Sequence, residues 1–192
     1  MLPNDERCAL STRQIATCLR NGLCPHTRCL GVFPADYSPA IDDDDDKVHH
    51  VAWVMNTAPS DHPGMHWVAY YHNSSSRRKP EFFDSVGLAP DTYGLPSGEM
   101  VAPREGLQSL DSNVCGQYCV FYLCQRSRGL SPSQVISVLK SLSSTNVNER
   151  ERLLIDYCAA LSRRSMHSSC SDCNQCCTSP RCFCTTTNPL HH

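Results

Sequence analysis

The sequence has no long apolar run, no cysteine between Cys29 and Cys115, and no excess of charge of one sign. No stretch reaches the roughly 18 apolar residues that a membrane-spanning helix needs, which predicts no contact with a membrane. Charged and turn-forming residues interrupt the first thirty positions, where a secretory leader would need an uninterrupted apolar segment. We therefore expect the protein to lie inside the cell, in the nucleus or the cytoplasm.

Charge and cysteine content argue against two further classes of protein. The formal net charge is −2, from 17 Lys and Arg against 19 Asp and Glu, so the chain as a whole does not attract nucleic acid. The 14 cysteines could indicate a secreted disulfide scaffold, but the long segment over residues 30–114 contains none. Most of the cysteines are therefore predicted to be reduced thiols, and the length of 192 residues suits one hydrophobic core.

The composition changes after Arg164 to serine, threonine, proline and cysteine, without the apolar periodicity that a core requires. We predict one domain over residues 1–164 and a disordered tail over residues 165–192. The thiols of the tail could bind zinc or copper(I), but no scaffold separates them into paired ligands. Lipidation and simple low complexity explain them equally well, so no metal site and no cofactor are assigned. The cysteines of the tail are Cys170, Cys173, Cys176, Cys177, Cys182 and Cys184.

The apolar pattern predicts a few strands between helices. Helical spacing covers residues 7–20, a region from Cys115 onward, and segments that begin near 132 and 148. Strand-like runs cover 51–56, 67–71 and 81–84, and a polar stretch at 73–76 makes the last two a hairpin. Residues 24–29 and the acidic run 42–46 lack the spacing of a metal site and are predicted to be loops. The expected class is α+β, with a small central mixed sheet flanked by helices.

One cysteine stands between a polar turn and an apolar helical run. Residues 111–113 read Asp-Ser-Asn, which offers side chains that cap a helix, and an apolar run follows Cys115. The positive end of the helix dipole would favour the thiolate of Cys115. Taken alone, such a cysteine is more often a small buried side chain, which is the role predicted for Cys119 and Cys124 on the same helix.

A base and an acid for this thiol lie on the predicted hairpin. His66 precedes one strand and Asp84 ends the next, so antiparallel pairing brings both side chains to the same end of the sheet. A carboxylate that orients an imidazole beside a thiol is the arrangement of a nucleophilic cysteine hydrolase. Each residue alone is more often structural, but together with Gln108, seven positions before Cys115, they indicate catalysis.

Six residues in a fixed order carry a resemblance to a known family: His66-Trp67, Asp84, Gln108 and Cys115-Gly116. They resemble the adenains, the adenovirus-type cysteine endopeptidases, whose clan includes the SUMO proteases. Segments 31–36 and 54–58 are also similar to adenain, so the resemblance covers residues 9–163. The interval from the glutamine to the cysteine matches viral members, whereas cellular SUMO proteases place the glutamine one residue closer. The aspartate departs from the glutamate that is common in adenoviral enzymes, although either carboxylate can orient an imidazole.

The resemblance implies a papain-like or adenain-like fold with the nucleophile at the N-terminus of the central helix. It implies that His66, Asp84 and Cys115 form a catalytic triad. The side chain of Gln108 would supply an oxyanion hole together with the backbone N–H of Cys115. Trp67 and Gly116 would then bind substrate, Trp67 by packing over the catalytic pair and Gly116 by admitting the substrate close to the backbone. These two assignments and the oxyanion role rest on the resemblance.

The resemblance also implies a substrate and partners. The preferred substrate is a viral or mobile-element precursor protein, cleaved near small residues such as glycine. The alternative is deconjugation of SUMO or another ubiquitin-like modifier by the same residues. An activating peptide or DNA is expected by family analogy only. The protein is expected to be a monomer, and a location in the virion is included among the expectations. A non-enzymatic alternative also stays open, in which an inactive protease fold serves as a binding module with a metal-binding tail.

Overall fold

The computed structural model describes residues 9–41, 50–73, 78–104, 106–109, 111–142 and 146–164. The tail predicted over residues 165–192, with its six cysteines, and the acidic run 42–46 lie outside the described residues. The described elements are, in chain order, α1 (Thr12–Gly22), β1 (Thr27–Phe33), β2 (His50–Asn56), β3 (Trp67–Asn73), β4 (Glu81–Phe83), a 3₁₀ helix (Pro90–Tyr93), β5 (Glu99–Met100), α2 (Cys115–Ser127), α3 (Pro132–Ser141) and α4 (Val147–Arg163).

The strands form one mixed sheet in the order β1-β2-β3-β4-β5. β1 is parallel to β2 and β5 is parallel to β4, whereas β3 is antiparallel to both of its neighbours. Ala69 of β3 pairs with Phe83 of β4, so the start of β3 and the end of β4 meet at the same end of the sheet. The predicted α+β class, with a central mixed sheet flanked by helices, is confirmed.

The structure adds two strands that the apolar pattern does not predict. β1 occupies residues expected to begin as a loop, and Cys29 lies within it. Its pairing with β2 shifts register between Cys29 and Gly31, where Gly31 has φ of 141°. This irregularity interrupts the alternation by which a strand is recognised. β5 lies in the connection between β4 and α2, and its two residues are too few to produce a periodic pattern.

Side-chain caps set the first residues of α1 and α3. Ser11 and Gln14 form a capping box, so α1 begins at Thr12 rather than at the predicted residue 7. Ser131 and Gln134 form the same arrangement before α3, at the position that the sequence predicts. These polar residues satisfy backbone N–H groups that have no partner within the first turn of a helix.

Alternate residues of a strand face opposite sides of the sheet. In this sheet both faces are buried. α2 packs against β3 and is buried on all sides over residues 115–124, which makes it the central helix. No helix in the described part of the chain is both long and apolar enough to cross a membrane. The helix-covered face carries Ala52, Val54, Ala69, Tyr71 and Phe83. The opposite face carries Val51, Trp53, Met55, Val68, Tyr70 and Phe82.

An ion pair positions α2 on the sheet. Arg126 donates from Nη2 to Oε1 of Glu81 at 2.6 Å and from Nε to Oε2 at 2.7 Å, and Tyr122 donates to the same Oε2 at 2.7 Å. The guanidinium carbon also lies 4.6 Å from the centre of the Tyr71 ring. A two-point pair of this kind has a defined geometry. It therefore fixes the strand that leads to Asp84 against the helix that begins at residue 115.

Candidate active site

The hairpin brings His66 and Asp84 into contact. His66 is the residue before β3 and Asp84 is the residue after β4, so the antiparallel register places both at one end of the sheet. The distance from Nε2 of His66 to Oδ1 of Asp84 is 2.7 Å. An ionised carboxylate only accepts hydrogen bonds, so Nε2 carries the proton of this contact and the tautomer of the imidazole is set.

Asp84 is held by three further donors. Its Oδ1 accepts from the backbone N–H of Val86 at 3.0 Å, and its Oδ2 accepts from the backbone N–H of Leu88 at 3.0 Å. The hydroxyl of Tyr93 donates to the same Oδ2 at 2.9 Å. The carboxylate is fully buried. With four hydrogen bonds on its two oxygens, its orientation toward His66 is fixed.

Cys115 is the first residue of α2, as predicted. The residue that caps the helix is Val114, which supplies no side-chain hydrogen bond. The expectation that Asp111, Ser112 or Asn113 would cap the helix is therefore wrong, because the capping position falls one residue after these polar side chains. The N–H groups of the first turn thus have no side-chain acceptor from the capping residue, and they point toward the end of the helix where an anion is favoured.

The thiol and the imidazole form the centre of the site. Cys115 acts on the imidazole of His66 through hydrogen bonding and charge, and because Nε2 of the ring contacts Asp84, Nδ1 is the nitrogen available to a thiol. Burial of the imidazole opposes its protonation, but hydrogen bonds and charge from Asp84 and Cys115 outweigh burial and raise the pKa of His66 to about 9. The imidazolium is therefore favoured at neutral pH when the sulfur carries a negative charge.

Gln108 forms hydrogen bonds with the residue that follows Asp84 and with the turn that precedes Cys115. Its Oε1 accepts from the hydroxyl of Ser85 at 2.6 Å, and its Nε2 donates to the backbone carbonyl of Ser112 at 2.7 Å. Ser85 follows Asp84 in the chain, and Ser112 lies three residues before Cys115. The nitrogen of the amide carries two N–H bonds, and the carbonyl of Ser112 accepts from one of them.

The structure gives Trp67 and Gly116 packing contacts, and their contacts with substrate stay a prediction. The indole N–H of Trp67 donates to the carbonyl of Leu10 at 3.1 Å. A Cβ added to Gly116 would lie 3.2 Å from both Leu10 and Ile15 and 3.4 Å from Trp67. Gly116 is buried, and its missing side chain lets α2 approach α1 and the Trp67 ring. Both residues therefore position the elements that carry His66 and Cys115.

Two residues that contact the site, Tyr93 and Ser85, are not predicted from the sequence. Tyr93 lies in the 3₁₀ helix of the connection between β4 and β5, and its ring centre is 6.0 Å from that of His66. Ser85 is fully buried and contacts Gln108. The available signal for Ser85 was its position directly after Asp84. Tyr93 had no comparable signal, because a contact across nine residues of connection depends on the path of that connection.

No group of three or more histidine, cysteine or acidic side chains that could hold a metal ion occurs within the described residues. The seven cysteines of this part of the chain are free thiols. The cysteines for which metal binding was left open all belong to the tail beyond residue 164. The described site presents a thiol, an imidazole, a carboxylate and an amide.

Among known proteins, only solved structures resemble the chain. No family model matches it, and neither does any curated protein. Among the solved structures that resemble it is the crystal structure of the Se-Met ASFV pS273R protease. The identity is 17%, the TM-score is 0.48, and the match covers 80% of this chain and 69% of the other. A likeness of this size assigns no function to the chain.

Proposed function

We propose that the chain is a cysteine endopeptidase in which Cys115 is the nucleophile, His66 the general base and acid, and Asp84 the residue that orients His66. The observation that carries the proposal is the meeting of these three side chains at the first residue of the central helix. They come from three separate elements, and the 2.7 Å contact between His66 and Asp84 leaves the other imidazole nitrogen to the thiol. This order of thiol, imidazole and carboxylate is that of an activated nucleophile.

The first half of the reaction follows from the charge state of the pair. The thiol proton passes to Nδ1 of His66, and the Cys115 thiolate attacks the carbonyl carbon of the scissile peptide bond. Asp84 stabilises the positive charge that His66 then carries. His66 returns the proton to the leaving amine as the C–N bond breaks, and an acyl group remains on the sulfur as a thioester.

The second half uses the same residues in reverse. His66 removes a proton from a water molecule, which attacks the thioester carbonyl and releases the carboxylate product and the thiolate. In both halves the carbonyl oxygen becomes negatively charged for a moment. The second N–H bond of the Gln108 amide and the backbone N–H of Cys115 are the donors proposed to stabilise it, a contribution typically of about 3 kcal/mol for one donor.

The proposed substrate is a precursor protein of a virus or a mobile element, cleaved within the chain. The support for this class is the resemblance to adenains, including the seven-residue interval between Gln108 and Cys115. Two substrates distinguish it from the alternative: a fluorogenic peptide with an internal glycine, and a ubiquitin-like modifier whose C-terminal glycine carries a fluorogenic amide. Turnover of the first supports an endopeptidase, and turnover of the second alone moves the assignment to deconjugation.

A mechanism-based label tests the nucleophile directly. We expect a peptide vinyl sulfone ending in glycine to add once to the wild-type protein, at Cys115, as read by intact mass and peptide mapping. The adduct should be absent from Cys115→Ala, and His66→Ala should form it far more slowly because the thiol has lost its base. Cys119→Ala is the matched control and should be labelled like the wild type.

Labelling spread evenly over many cysteines, and unaffected by His66→Ala, would contradict the proposal. Such a result would favour the non-enzymatic alternative, in which the fold binds a partner without cleaving it. The same protein would then be assayed for metal binding before and after truncation at Arg164, since the cysteine-rich tail is the remaining candidate for a function.

A further inference from the structure

Ser85 contacts both the side chain and the main chain of Gln108, the residue proposed to stabilise the oxyanion. It is fully buried, and its hydroxyl donates to Oε1 of Gln108 at 2.6 Å. Its backbone carbonyl accepts from the N–H of Leu107 at 2.6 Å and from the N–H of Gln108 at 3.0 Å. One residue therefore holds the main chain and the side chain of Gln108 at once, directly after the carboxylate that orients His66.

The contacts of Gln108 also determine which way its amide group faces. The carbonyl of Ser112 can only accept, so the Gln108 atom 2.7 Å from it is the nitrogen. The amide oxygen then faces Ser85, whose hydroxyl is a donor. Rotation of the amide by half a turn would oppose two acceptor oxygens at Ser112. The Ser85 hydroxyl adds a second constraint on this orientation, and by donating to the amide oxygen it polarises the amide toward stronger donation from nitrogen.

The turn that contains Ser85 is packed against the turn that precedes Gln108. Gly87 and Gly106 both have positive φ, of 84° and 74°. A Cβ on Gly87 would lie 2.5 Å from the carbonyl oxygen of Pro103, and a Cβ on Gly106 would lie 2.8 Å from that of Val86. The two turns thus meet backbone to backbone, at a separation that only glycine allows. Ser85 is held in place relative to Gln108 by this packing.

We infer that Ser85 is a positioning residue for the oxyanion donor: it acts through the Gln108 amide and has no part in activating the thiol. This inference rests on the proposed cysteine endopeptidase function. Two neighbouring residues then have separate roles. Asp84 orients the base His66, and Ser85 orients the amide of Gln108. The two effects are separable, because His66 contacts Asp84 and the Gln108 side chain contacts Ser85.

The first test compares peptide hydrolysis with simple alkylation in Ser85→Ala. We expect kcat to fall about tenfold with KM unchanged, because the lost contact matters only when the oxyanion forms. Alkylation of Cys115 by iodoacetamide is a displacement at carbon in which no oxyanion develops, so its rate should stay within twofold of the wild type. A general disturbance of the site would slow both reactions.

A double-mutant cycle with Gln108→Ala tests the route of the effect. In the Gln108→Ala background, Ser85→Ala should change kcat by less than twofold, because the donor that Ser85 positions is gone. Ser127→Ala is the matched control: its hydroxyl donates to the carbonyl of Cys124 at 2.8 Å, at the far end of α2, and its loss should leave kcat unchanged. Ser85→Cys, which keeps a side chain of similar size with a weaker donor, completes the same cycle if the alanine variant does not fold.

Two results would overturn the inference while the proposed function stands. In one, the wild type hydrolyses peptide and both Ser85 variants match its kcat. In the other, Ser85→Ala lowers kcat equally with and without Gln108. Failure of the proposed function has a different signature, because the wild type itself would then show neither peptide hydrolysis nor selective labelling of Cys115.

Discussion

Cys115 and Cys119 lie one turn apart on α2 and have different surroundings. Cys115 is 7% exposed at the first residue of the helix and contributes to the raised pKa of His66. Cys119 is fully buried, and its Sγ donates to the backbone carbonyl of Trp67 at 3.2 Å. Burial, and to a smaller extent the nearby Cys115, raise the pKa of the Cys119 thiol well above its ordinary value. Position on the helix and the available partner thus separate a candidate nucleophile from a structural thiol.

Cys124, five residues further along α2, extends the comparison. Burial raises the pKa of its thiol to about 11, and the nearby Arg128 only partly opposes this effect. Both deeper cysteines are therefore neutral at physiological pH and serve as small apolar side chains. Since all three thiols share one helix, substitutions along α2 can test the difference with the fold as a common background.

The largest expected effect is the loss of hydrolysis in Cys115→Ala, by about 10⁴-fold or more, because no other group can form the acyl intermediate. Cys119→Ala removes the same sulfur one turn away and should keep activity within about threefold. Its cost should be about 1 kcal/mol in the free energy of unfolding, from the lost packing and hydrogen bond. Steady-state kinetics and urea denaturation measure the two effects. Equal losses of activity in both variants would contradict the distinction between these thiols.

Asp84→Asn should lower kcat/KM by on the order of 10²- to 10⁴-fold, since an amide can present its N–H to His66 and favour the wrong tautomer. The variant also has a signature in pH. Asp84 is among the groups that raise the pKa of His66 to about 9, whereas burial opposes this. Without the carboxylate the pKa falls, so the alkaline limb of the pH profile, where the imidazolium is lost, should move to lower pH. A limb that stays in place would contradict the assignment of Asp84.

The same pair should be visible in the stability of the protein. The folded-state pKa of His66 lies above the ordinary value of 6.5, so the contribution of the protonated pair to the free energy of unfolding is complete below about pH 6.5. It is lost as pH rises through about 9. Asp84→Asn, compared with the wild type by urea denaturation across this range, should show a weaker decline.

The sequence predicts the parts of the site that follow from local pattern, and fails where separate loops meet. His66 and Asp84 come together because a hairpin has one antiparallel register, and Cys115 begins a helix because an apolar run follows a polar turn. The hydroxyl of Ser85 reaches Gln108, 23 residues away, only because two glycine turns pack against each other. Such contacts depend on loop paths, which no periodicity encodes. The substrate roles of Trp67 and Gly116 rest on the resemblance and stay predictions, and their packing contacts depend on how α1 packs.

Tyr93→Phe sharpens the comparison with Asp84→Asn, because it removes a donor from the carboxylate and leaves the charge. Burial, and next the charge of Asp84, raise the pKa of the Tyr93 phenol, so it remains a donor across the working range. We expect kcat/KM to fall about fivefold, the worth of one hydrogen bond of about 1 kcal/mol. The alkaline limb should not move to lower pH, since the carboxylate still faces His66. Tyr37→Phe, which alters a half-exposed ring stacked on Phe33, is the control. A shift of the alkaline limb to lower pH would show that Tyr93 acts on the pKa of the His66 imidazole instead.

The smallest effect on activity is expected where a thiol serves only packing. A Cβ on Gly22, the last residue of α1, would lie 2.6 Å from Sγ of Cys124 and 3.0 Å from Leu161. Gly22→Ala should therefore destabilise the fold by about 1 to 3 kcal/mol through crowding, with kcat within twofold of the wild type. In a Cys124→Ala background the same substitution should cost less, because the new methyl group occupies space that the sulfur has left. Denaturation of the two single variants and the double variant measures this coupling. Additive losses, or a fall in kcat that follows the Cys124 thiol, would show that this sulfur does more than fill space.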